Sequence, residues 1–214
     1  MKAESHRQQD RALSLLKERG ITRLSEFTRA GVTAATVARM KERGLILQLS
    51  RGLYQLADAS LDANHSLAEA AKLVPKGVVC LVSALAFHGL TDTVPPRVWM
   101  AIGSKDWRPR TTHPPLQFVR FTAKLLHSGV EQHTIEGVSV RITSPARTIV
   151  DLFRYRQRAG KRFQKSLGLN LALEGLKQSL RQRKATPAEI ARHAEEANIW
   201  KAVQPYLEAM TVDA

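Results

Sequence analysis

Gly20, Gly31, Gly44 and Gly52 punctuate the start of this chain, and the patterns between them admit few folds. Residues 5–19 place Ala12, Leu13, Leu15 and Leu16 on one face among charges, which is the spacing of an amphipathic helix that Gly20 stops. Ile21, Leu24 and Phe27 follow, and Ser25 begins a second short helix ending near Ala30. Gly31-Val32 makes a tight turn, Thr33 caps a third helix, and Gly44 ends it. Leu45 to Leu49 and Leu53 to Leu56 then read as strands joined by Ser50-Arg51-Gly52. Helix, helix, turn, helix, hairpin is the order of a winged helix-turn-helix, expected over residues 1–60.

At 214 residues the chain is too long for that module alone. Residues 57–66 are small and polar and read as a linker, so a second, larger domain is expected over 64–214. Its first part, 64–143, is strand-rich. After a short helix from Leu67 to Val74, strands are expected at Val78–Val82, Val98–Ile102, Leu116–Phe121, Gln132–Ile135 and Val138–Ile142, with a helix from Ser83 to His88. Glu136-Gly137 between the last two strands is a hairpin signal. From Ser144 the pattern turns helical: one helix starts at Pro145, a second covers about 165–182, a third starts at Thr186-Pro187, and a fourth runs from Ile199 to Met210. The expected class is α+β, a winged helix-turn-helix followed by a larger mixed α/β domain ending in a helical segment.

Charge narrows the partners. Thirty-three Lys and Arg against 19 Asp and Glu leave a formal +14 and a pI near 10.5. Such a surplus favours a polyanion, because each phosphate neutralised releases condensed counterions. The lone Cys80 lies in the apolar run Val78-Val79-Cys80-Leu81-Val82, which excludes a disulfide framework and points to a core thiol. Met1 to Asp10 lacks an apolar signal segment, and no apolar run approaches the roughly 18 residues of a membrane span. A cytoplasmic protein is expected.

In a winged helix the third helix enters the major groove and the hairpin flanks it. At helical spacing Val37, Met40 and Gly44 share one side and should pack on Leu24 and Phe27. Thr36, Arg39 and Arg43 share a neighbouring side free of large apolar groups and should face DNA, with Thr33 and Ala35 at the helix start. The arginine fork pairs with both acceptors on guanine or grips a phosphate. Arg51 at the hairpin tip suits a wing reaching the minor groove or backbone.

Other candidates for chemistry point to structure. His6, His65, His88, His113, His127, His133 and His193 fall at no metal-ligand spacing, so neither metal nor other cofactor is expected. His88 reads as a structural histidine, while Ser83 and Ser144 start helices, where hydroxyls cap free N–H groups. A catalytic Asp106, with Asp92 upstream, would need a paired acidic motif that is missing. No catalytic residue is assigned and no enzyme is expected. The segment from Arg154 to Lys165 carries six basic residues and no acid. Arg154, Arg156, Arg158, Lys161 and Arg162 are candidates for docking an acidic partner, and a phosphate-contacting surface or a solvated loop are the other readings.

The stretches Leu24-Ser-Glu-Phe-Thr-Arg-Ala-Gly-Val32 and Leu45-Ile-Leu-Gln-Leu-Ser-Arg-Gly-Leu-Tyr54 resemble the winged helix of AbiEi-type antitoxins. The resemblance continues through Ser83-Ala-Leu-Ala-Phe-His-Gly-Leu90, Thr143-Ser-Pro-Ala-Arg-Thr-Ile-Val-Asp-Leu-Phe153 and Arg181-Gln-Arg-Lys-Ala-Thr-Pro-Ala-Glu-Ile190. It implies an N-terminal domain that represses its own promoter and a C-terminal domain that counters an AbiEii-type nucleotidyltransferase toxin, directly or indirectly. Double-stranded DNA and that toxin are the implied partners. Two other functions fit the same architecture: a regulator whose second domain senses a ligand, and a nucleic-acid-processing enzyme tethered by the winged helix.

Overall fold

The computed structural model describes residues 2–109, 111–158 and 168–212. Helices and two separate sheets make the class α+β, as expected. The chain forms two compact units, one of residues 1–76, 108–116 and 133–140, the other of 77–107, 117–132 and 141–214.

In the first unit, α1 (Lys2–Arg19) is followed by β1 (Thr22–Arg23), α2 (Leu24–Arg29), α3 (Ala34–Glu42), β2 (Ile46–Ser50), β3 (Leu53–Leu56) and α4 (His65–Leu73). Strand β1 pairs antiparallel with β3, and β3 with β2, giving the order β1-β3-β2. This is the winged-helix arrangement, with β2 and β3 as the wing. Ala12 and Leu16 of α1, Phe27 of α2, Val37 and Met40 of α3, and Ile46 of β2 close one core. Gly44 does not join it. It is exposed with φ +68, and this left-handed turn is what lets the chain leave α3 for β2.

The N-terminal unit does not stop at residue 60. Glu26 of α2 lies 3.2 Å from Lys72 Nζ and 3.8 Å from Arg19, and the Arg23 guanidinium donates to the Lys72 carbonyl. Burial pushes the Glu26 carboxyl up, but the Arg23 N–H, Lys72 and Arg19 together hold it below its ordinary value. Glu136 also belongs to this unit. Its carboxylate accepts from Asp62 N at 2.6 Å and sits 2.7 Å from His65 Nδ1, which fixes the start of α4. Its carbonyl lies so close to Gly20 that a Cβ there would stand 1.7 Å from the oxygen.

Downstream come β4 (Val78–Val79), α5 (Leu81–Phe87), β5 (Val98–Gly103), β6 (Leu116–Phe121), a 3-10 turn (Lys124–Leu126), β7 (Val130–Ile135) and β8 (Val138–Thr143). Among the described residues four helices follow: α6 (Pro145–Arg158), α7 (Leu169–Arg181), α8 (Pro187–Glu196) and α9 (Trp200–Val212). The second sheet has the order β6-β5-β4-β8-β7, with β4 antiparallel to β5 and parallel to β8. The strand expected over 78–82 ends after Val79, because Leu81 takes φ 51 and turns the chain directly into α5. Such a backbone costs about 1–3 kcal/mol for a non-glycine residue, and the burial of Cys80, Leu81 and Leu85 among α6 and α7 side chains holds it.

Candidate nucleic-acid interface

Helix α3 begins as expected. Thr33 Oγ1 accepts from Thr36 N at 3.3 Å, which satisfies one free N–H of the first turn. Val37 and Met40 are buried against α1 and α2, which leaves Ala35, Arg39 and Arg43 exposed on the opposite side. On the wing, Ser50 pairs with Leu53 across a bulge at Gln48/Ser50. Gly52 takes φ +73 in the turn, and Arg51 stands exposed at its tip. Lys41 Nζ donates to Gln48 Oε1 at 2.8 Å and ties α3 to the wing.

Thr36 is a correction. Helical spacing turns it toward DNA, yet it is 2% exposed. Its hydroxyl lies 2.8 Å from Gln8 Oε1 of α1 and accepts from Arg39 NH2 at 3.1 Å. Gln8 Oε1 also receives Thr33 N at 3.2 Å and Thr33 Oγ1 at 3.1 Å. The same oxygen therefore gathers the whole N-terminus of α3. Glu4, His6, Gln8 and Gln9 of α1 face Thr33, Thr36, Arg39 and Arg43 across an open cleft of about 590 Å³. Gln8 was missed by sequence reasoning, but a signal existed: it precedes Ala12 and Leu16 at intervals of four and so continues the buried face of α1.

In the second unit the chemistry-bearing residues hold the fold. Asp106 Oδ2 accepts from Gly103 N at 2.8 Å, and the Arg120 guanidinium donates to the carbonyls of Gly103, Ser104 and Asp106. Asp106 thus shapes a turn. His88 is buried and its Nε2 donates to Thr143 O at 2.7 Å, the structural role expected of it. Ser144 Oγ caps α6 by accepting from Arg147 N at 3.3 Å. Ser83 does not cap. Because α5 starts at Leu81, Ser83 lies inside it and its Oγ accepts from Trp99 N at 2.9 Å, clamping β5 to the helix. Cys80 is fully buried, and desolvation pushes its thiol well above the ordinary range. Among the described residues no group of three or more His, Cys, Asp or Glu is arranged to hold a metal ion.

The buried pair Arg147 and Asp151 was also missed. Arg147 Nε donates to Asp151 Oδ2 at 3.0 Å, its NH1 donates to Ser128 O at 2.9 Å, and its guanidinium lies 5.5 Å from the Phe121 ring centroid. Gly129 permits this, since a Cβ there would meet Arg147 Cβ and His193 Cε1 at 2.8 Å. Of the basic segment, Arg154 and Arg156 are half-buried, and the charge of Arg154 acts on Asp151. The Arg158 side chain, Lys161 and Arg162 lie outside the described residues.

No curated protein matches the chain. The crystal structure of the RV2827C protein from Mycobacterium tuberculosis is similar in fold, with a TM-score of 0.61 at 12% identity over 95% of this chain and 77% of that one. A match at this identity speaks for the architecture alone. No helix among the described residues is long and apolar enough to cross a membrane. Residues 10–57, which hold α3, the wing and the second half of α1, match the family model described as "Transcriptional regulator, AbiEi antitoxin", so the part of the chain that carries the candidate interface is similar to this family.

Proposed function

We propose that this protein is a DNA-binding antitoxin that represses its own promoter through the winged helix, while residues beyond that module counter a nucleotidyltransferase toxin. The observation that carries the reading is the joint exposure of Arg39 and Arg43 on α3 and Arg51 at the wing tip, on a chain of formal charge +14. Three arginines placed on a recognition helix and a wing suit one duplex better than they suit a solvated surface. The family match over residues 10–57 supports the regulatory half. The antitoxin half rests on the resemblance of the later segments, and its partner is an AbiEii-type toxin.

A cleft of about 250 Å³ in the second unit is lined by Lys184, Glu189, Arg192 and His193 among others. Asp106, the residue an enzyme reading needed, is spent on the Gly103 turn. The test is a strain carrying the full chain, the nucleotidyltransferase encoded beside it, and a reporter driven by their promoter. Restored growth together with a silenced reporter is expected. Growth rescue without repression would remove the promoter role, and repression without rescue would remove the antitoxin role.

A further inference from the structure

The fork of an arginine reads a base only if its plane is held, since a free Arg side chain carries about 2 kcal/mol of rotamer entropy. Arg39 is exposed, yet one of its nitrogens is anchored on the buried Thr36 hydroxyl. A hydroxyl has one proton and two lone pairs, so what Thr36 offers to Arg39 depends on where its own proton goes. Gln8 decides that. Thr33 N can only donate, so the Gln8 atom facing it must be the amide oxygen, and the same oxygen lies 2.8 Å from Thr36 Oγ1. Thr33 Oγ1 lies 3.0 Å from the same hydroxyl, but Gln8 Oε1 is the nearer acceptor, so Thr36 gives its proton to Gln8 and turns a lone pair toward Arg39, which can only donate. The acceptor that completes this chain comes from α1, 28 residues before Thr36.

We propose that Gln8 is a positioning residue for operator recognition: through Thr36 it holds the Arg39 guanidinium in one orientation, so that α1, outside the groove, sets sequence preference. This inference rests on the reading that α3 meets DNA. It makes Gln8 an acceptor whose loss costs discrimination rather than general affinity, because a backbone contact by Arg51 on the wing would not pass through it.

The full chain, Gln8→Met, Thr36→Val, Arg39→Ala and the double variant Gln8→Met/Arg39→Ala are titrated with the chain's own promoter duplex and with a scrambled duplex at one salt concentration. Thermal melting is recorded alongside. Gln8→Met keeps the length of the side chain without the acceptor, and Thr36→Val removes the hydroxyl at nearly constant shape. Each should lower the preference for promoter by up to about tenfold, the value of one hydrogen bond, and leave binding to scrambled DNA unchanged. Gln8→Met should add nothing once Arg39 is Ala. Equal weakening on both duplexes, an undiminished preference, or a full effect in the Arg39→Ala background would each overturn the proposal. If Gln8→Met fails to fold, Thr36→Val decides by the same criteria. A wild-type chain with no promoter preference overturns the DNA reading and this inference together, whereas a preferring wild type beside a preferring Gln8→Met overturns the inference alone.

Discussion

Arg147 and Asp151 stand one helical turn apart on α6 and meet at 3.0 Å with side chains 1% and 0% exposed. Burial dominates the carboxyl and pushes Asp151 up from 3.8 to about 6, although Arg147 and Arg154 draw it down. It is therefore ionised at pH 7. A folded pKa above the unfolded one means that the group's contribution to stability is full below about pH 4 and is lost as pH rises through about 6. Arg147→Met leaves that carboxylate buried without its partner and should cost about 3–5 kcal/mol at pH 7. The deficit should shrink at pH 5, where the carboxyl takes up a proton, and denaturant melts at the two pH values check this. A deficit independent of pH would mean that the pair is not what the variant breaks.

Gly20 tests the packing of the 133–140 segment on the winged helix. It combines φ +60 with a Glu136 carbonyl oxygen that would stand 1.7 Å from any Cβ at this position, so Gly20→Ala meets both a backbone penalty and a clash that no rotamer relieves. A loss of about 2 kcal/mol or more is expected, against the roughly 1–2 kcal/mol of the left-handed backbone alone. Thermal melting of the full chain measures it.

The toxin-facing role is tested on the basic segment. Arg154 contributes to the electrostatics of the buried pair, so Arg154→Ala would confuse stability with binding. Replacing Arg158, Lys161 and Arg162 with Ala should instead weaken growth rescue while promoter repression persists. Full rescue by that triple variant would remove the acidic-partner role of the segment.

Residues whose neighbours lie nearby in sequence were legible. Thr33 as a cap, Gly44 as a stop, Val37 and Met40 as the buried side of α3, and Arg51-Gly52 as the wing turn all follow from spacing and backbone chemistry within a few residues. What escaped depends on distant partners. Strand β1 is two residues long and exists only because β3 lies beside it, so it leaves no alternation to read. Thr36 looked exposed by its place on the helix, but Gln8 covers it from α1. Arg147 and Asp151 stand at i and i+4, a spacing that does not tell a buried pair from an exposed one, and the packing of Phe121, Gly129 and His193 around Arg147 belongs to distant parts of the sequence. The N-terminal unit outran residue 60 because Glu26 binds Lys72, a pairing 46 residues apart.

The central claim, that α3 and the wing bind the chain's own promoter, is tested most directly by titrating wild type, Arg39→Ala, Arg43→Ala and Arg51→Ala against promoter and scrambled duplexes over a range of salt. Wild-type affinity should fall steeply with salt, as phosphate contacts require. A helix arginine that reads a base should lose about 1–3 kcal/mol on the promoter and flatten the preference, whereas Arg51→Ala should weaken both duplexes alike. Wild-type affinity and preference in all three variants would contradict the claim.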